Sequence, residues 1–147
     1  MFKAISDLLN NSKKPQSRPI DTKLAVAVLL VHLSDIDGET SDEEQKIIAK
    51  VLKEHFDLNS TQVKELIASA RDKDQEAVDF YQFTSIITRL DMEQRIKIIA
   101  MMWQVVFADK KNHELEDNMI WRVAELIGVS SRERTKLRAR FAKEASR

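Results

Sequence analysis

An all-α, single-domain helical bundle of about seven to eight helices with an internal pseudo-twofold repeat is expected, on three observations. Two stretches, around Leu24–Leu33 and Ile96–Phe107, are apolar at nearly every position. Each is followed by an acidic corner and then by a helix with a single apolar stripe. Glycine occurs only at 38 and 128 and proline only at 15 and 19, which leaves little material for β-turns.

The 147 residues suit one ordinary domain, and 43% apolar with 33% charged residues is a globular composition rather than a membrane or disordered one. Cysteine is absent, so disulfides, thiolate metal sites and cysteine nucleophiles are excluded. Residues 1–20 carry a net +3 and residues 130–147 a net +5, so the neutral chain holds −8 between them. An acidic body argues against nucleic acid, whose binding needs a basic face to neutralise phosphates. The basic ends leave contact with an acidic protein partner or peripheral contact with an acidic membrane surface open. The first residues lack the long apolar run and small-residue cleavage site of a signal peptide, and no apolar run reaches the roughly 20 residues of a membrane span, so a cytoplasmic protein is expected.

Residues 1–20 are expected to form a short amphipathic helix, with Phe2, Ile5, Leu8 and Leu9 on one side, and a polar linker holding both prolines. Residues 21–147 are the domain. Its first helix, from Asp21, is apolar all round and therefore central. His32 within it reads as a core or rim imidazole rather than a ligand. Ser41 with Glu44 forms a capping box, in which Glu44 returns to the N-cap amide, and the following helix runs to about His55 on Ile47, Ile48, Val51 and Leu52. Asn59 or Ser60 caps the next helix, which the charged stretch Arg71 to Glu76 is expected to end. Asp79 to Leu90 makes another. Asp91 with Gln94 opens the second half, whose first helix again reads as apolar nearly all round, and Gly128 terminates the helix after its corner. Ser130 with Glu133 starts a basic last helix.

Shifting the chain by 72 residues lays Leu24 on Ile96, Leu29 on Met101, Asp37 on Asp109, Glu44 on Glu116, Ile48 on Ile120 and Val51 on Val123. Helix hairpins share apolar periodicity by default. The two acidic positions at unchanged spacing are the more specific part of the match. A glutamate in a helix's first turn is explained by capping and the macrodipole, but an aspartate closing the preceding helix opposes that dipole. A cation or a basic side chain between the two acids would reconcile them, and the first of these makes Asp37, Glu44, Asp109 and Glu116 the candidate metal ligands. Oxygen donors favour Ca²⁺, Mg²⁺ or Mn²⁺, and His113, the one nearby nitrogen, broadens the choice to Zn²⁺.

Other metal and catalytic motifs fail on register. Placing Asp35, Asp37, Gly38 and Glu44 at EF-hand positions 3, 5, 6 and 12 puts Leu33 at position 1, where it cannot ligate. No histidine has a glutamate three residues before it, so a di-iron bundle is excluded, and two glycines make no phosphate loop or nucleophile elbow. A non-enzyme is expected.

The chain resembles the TerB-like family, named for bacterial tellurite resistance. The likeness covers about residues 21–140 and is carried by Ala-Val-Leu-Leu-Val-His-Leu-Ser-Asp-Ile-Asp-Gly-Glu at 27–39 with Glu44, by Phe-Ala-Asp at 107–109, by His113 to Glu116, and by Trp121 to Ala124. The resemblance implies an all-helical fold with an internal pseudo-twofold, metal-binding acids at Asp37, Glu44, Asp109 and Glu116, and a link to metal or tellurite stress. The second corner has Asp109-Lys110-Lys111 where the family has Asp-Gly-Glu, so the first corner is the stronger candidate. The alternative is an interaction adaptor working through its N-terminal segment and the basic last helix, with Arg132, Arg134, Lys136, Arg138 and Arg140, its corners being caps only.

Overall fold

A computed structural model describes residues 20–36, 38, 41–108 and 114–145. The expected N-terminal helix and linker, and the aspartates Asp37 and Asp109, lie outside the described residues. Those described form an all-α domain of seven helices: α1 Thr22–Asp35, α2 Asp42–Phe56, α3 Ser60–Glu76, α4 Tyr81–Ile87, α5 Met92–Val106, α6 Glu114–Leu126 and α7 Ser131–Ala145.

Helix α1 is the hub. Every residue from Leu24 to Val31 is buried, as are Leu33 and Ser34, because α2, α3, α4, α5 and α6 all pack on it. With no wet side to stabilise, the sequence supplies no polar side chain from Leu24 to Val31, and each large apolar group buried here contributes about 1.5–3 kcal/mol. Asp21 caps the entry, its Oδ1 accepting from the Leu24 amide at 2.9 Å. Ser34 satisfies its buried hydroxyl by donating to the Val31 carbonyl.

Around this rod the ends of the other helices follow local chemistry. Asn59 and Gln62 exchange a full capping box at the start of α3. Asp91 accepts from the Gln94 amide and Ser130 from the Glu133 amide. At the end of α6, Gly128 takes φ +78° while the Val129 amide reaches back to the Ala124 carbonyl at 2.8 Å, the backbone pattern that glycine permits at little cost. Arg95 adds a tie within the second half, from the start of α5 to the end of α6, donating to the Leu90 and Ile127 carbonyls.

Three expectations need correction. The charged residues 71–76 continue α3 rather than ending it, since Ala70 is buried and Asp74 reaches α1. Helix α4 is shorter than 79–90, because Thr88 to Leu90 turn back on hydrogen bonds to Thr84, Ile86 and Ile87 carbonyls. Helix α5 is enclosed only from Ile98 onward, while Met92, Glu93, Gln94 and Lys97 are exposed, so it is not a second copy of the fully sheathed α1. No described helix is long and apolar enough to cross a membrane.

Candidate functional site

The two corners deliver their glutamates in the same way. Glu44 is the third residue of α2 and Glu116 the third residue of α6, helices that start 72 residues apart and both lean on α1. They are 2% and 3% exposed, and among the described residues they are the buried ionisable side chains. Their neighbours Asp42, Glu43, Glu114 and Leu115 face water, so burial selects the position that the repeat had matched.

At the first corner, the Ser41 hydroxyl accepts from the Glu44 amide at 3.1 Å and donates to Glu44 Oε1 at 3.2 Å. The expected box is thus modified: the Glu44 carboxylate takes the Ser41 hydroxyl instead of its backbone amide. A carboxylate drawn out of water needs hydrogen bonds, a helix N-terminus or a cation to offset the lost hydration. Leu33 is fully buried, which removes the first ligand position of an EF-hand.

Just before the first corner lies a polar cluster that the sequence did not disclose. His32 Nδ1 is 2.8 Å from Asp74 Oδ1, and its ring meets Phe80 edge-on at 4.5 Å between centroids. This bears out the rim-imidazole reading. Asp35 Oδ2 lies 3.8 Å from Arg71 Nη1. Burial raises the Asp35 pKa, the nearby Asp74 charge adds to the rise, and Arg71, His32 and a Ser34 hydrogen bond oppose it. The basic partner invoked to tolerate an acid at a helix end is therefore present, for Asp35. The pairing of residues 42 apart, brought together by α1 and α3, leaves no periodic signal in the sequence. Among the described residues, no three His, Asp or Glu side chains converge closely enough to hold an ion.

A family model described as tellurite resistance protein TerB matches residues 23–139. The chain belongs to the TerB family. No curated protein and no solved structure matches it. The TerB match runs from the first turn of α1 into α7, so it takes in the hub helix, both corners and both buried glutamates.

Proposed function

We propose that this TerB-family chain is a non-enzymatic, cytoplasmic metal-binding or metal-sensing domain serving tellurite or metal stress, with Asp37, Glu44, Asp109 and Glu116 as its ligands. The observation that carries the reading is the burial of Glu44 and Glu116 at matching places in α2 and α6. A carboxylate gives up its hydration at a cost, and a divalent cation beside it offsets that cost. The donor set fits a hard ion: carboxylate oxygens suit Ca²⁺, Mg²⁺ or Mn²⁺, and His113 beside the second corner would admit Zn²⁺. Such an ion would also offset part of the excess acid in the middle of the chain.

The test is thermal denaturation of metal-stripped protein with Ca²⁺, Mg²⁺, Mn²⁺ or Zn²⁺ added. A ligand that binds only the folded state raises the melting temperature with its concentration. The expected rise disappears in the double variant Asp37→Asn, Glu44→Gln and shrinks in Asp109→Asn, Glu116→Gln. Absence of a rise with every one of these ions at about a hundredfold excess over a micromolar Kd rejects the reading.

A further inference from the structure

Helices α2 and α7 both pack on α5 but hardly on each other, which leaves a slot between them with α5 as its floor. The slot is a groove of about 460 Å³. Val51, Ala100, Met101 and Phe141 give it an apolar bed, and along α5 it runs from Lys97 to Gln104, two helical turns or about 10 Å. Its charged rim is balanced, Lys97 and Arg140 standing against Glu54 and Glu144. Such a rim draws neither a free anion nor an acidic lipid surface.

The chain itself supplies a matching piece. Residues 1–19 lie outside the described residues, and by sequence residues 2–10 put Phe2, Ile5, Leu8 and Leu9 on one side of a helix with Lys3 and Asp7 on the other. As a helix these nine residues are about 13 Å long, close to the run of the slot, and too short to persist without a surface to cover their apolar side. Their side chains sum to zero charge, in keeping with the balanced rim, while the remaining bases of this end, Lys13, Lys14 and Arg18, fall in the stretch that follows. A helix that lies on a lipid surface instead carries Lys and Arg along its polar side.

The chain also enters the described body beside the slot. Lys23, in the first turn of α1, shares a small pocket with Leu58 and Gln62, so α1 starts next to the turn that follows α2. His55, three residues before Leu58, already lines the slot. Residues 11–19 reach up to about 30 Å, ample for that step. So short a tether holds the segment at an effective concentration on the order of millimolar, which favours its own body over a second copy. The pocket at Lys23 is nearer still, but at about 210 Å³ it has under half the volume and is edged by Lys23, Gln62 and Glu65.

We infer that residues 2–10 dock as a helix in the slot between α2 and α7, laying Phe2, Ile5, Leu8 and Leu9 on Val51, Met101 and Phe141. Phe141 is the one buried side chain of α7, so a strap laid beside it steadies that helix against the body. The slot contains none of the four corner acids, and the inference stands or falls apart from the metal reading.

The chain has no cysteine, so Ser6→Cys, on the side of the segment away from Ile5 and Leu8, takes a single nitroxide label. In NMR spectra of the full chain the label is expected to broaden the amide signals of His55, Ala100, Gln104 and Phe141 more strongly than those of Gln62, Glu65 and Trp121. Adding Ile5→Glu with Leu8→Glu, changes confined to the segment, removes that broadening while the rest of the spectrum keeps the folded pattern. In a mixture of nitroxide-labelled chains with isotope-labelled chains that carry no nitroxide, the isotope signals keep their intensity. The inference is overturned by absence of broadening along the slot, by broadening strongest at Gln62 and Glu65 or at Trp121, by broadening that survives the double glutamate variant, or by broadening that passes between chains in the mixture, which would assign the slot to a second copy.

Discussion

His32 Nδ1 and Asp74 Oδ1, 42 residues apart in the chain, meet at 2.8 Å and join the last turns of α1 and α3. Asp74 is only 14% exposed and the imidazole also packs on Phe80, so the contact is shielded from competing water. His32→Ala removes both interactions and is expected to cost about 1–2 kcal/mol in urea denaturation. Asp74→Asn, which keeps an acceptor, is expected to cost less than half of that. Equal losses would show that charge rather than geometry holds the pair.

Asp35, at the C-terminal end of α1, answers to pH in the unusual direction for a carboxylate. Burial raises its pKa in the folded protein, so the native state holds the proton more tightly than the unfolded chain. Its ionised form therefore costs stability above that raised pKa, and the cost fades as pH falls through it toward the ordinary value of 3.8. Asp35→Asn is expected to unfold at higher urea than wild type at pH 7, with the difference closing near pH 3.8. A difference that widens on acidification would contradict burial as the cause.

His55 behaves conversely. Burial first and the Lys97 charge second lower its pKa, so the folded state releases the proton that the unfolded chain keeps. Stability contributed by the neutral ring is fully present above 6.5 and is lost as pH falls from there toward the lowered folded value. His55→Gln is expected to flatten the acid side of the stability curve below pH 6.5, read as urea midpoints across a pH series. An unchanged slope would assign the acid sensitivity to other groups.

Two helix ends make a matched pair. Gly128, at φ +78°, would place a Cβ 3.1 Å from Arg95 Nη1, the group that donates to Ile127. Gly128→Ala is expected to lose about 1–2 kcal/mol, the penalty of left-handed backbone for a side chain, before any loss from the Arg95 bond. Asp57 occupies the same region at φ +54° at the end of α2. Asp57→Gly is expected to gain up to about 1 kcal/mol, since glycine enters that region freely. Urea midpoints moving in the same direction for both would refute the backbone explanation.

The sequence disclosed α1 because a helix sheathed on all sides demands apolar residues at every position, and Leu24 to Val31 comply. The repeat singled out four acids, Asp37, Glu44, Asp109 and Glu116, and the two of them that lie among the described residues, Glu44 and Glu116, are buried. Charge alone points to a helix end within Arg71 to Glu76, whereas a helix at a domain's edge needs only one inner residue per turn, here Ala70 and Asp74, and α3 runs on to Glu76. The even wrapping assigned to α5 failed because its first two turns, with Glu93, Gln94 and Lys97, project beyond the neighbours that cover Ile98 to Val106. The slot over α5 was illegible for another reason. Val51, Met101 and Phe141 come from three helices, and no spacing along one strand of text places them side by side.

Because α1 has no wet face and leans on five other helices, the two helix pairs share one keystone and neither can come loose by itself. Amides from Val26 to Leu30 should exchange with solvent only when the entire molecule opens, and cleavage between α4 and α5 would leave two fragments, one of them missing its wall. Packing five helices on one buried rod in this way makes the described domain a single cooperative body rather than two separable halves.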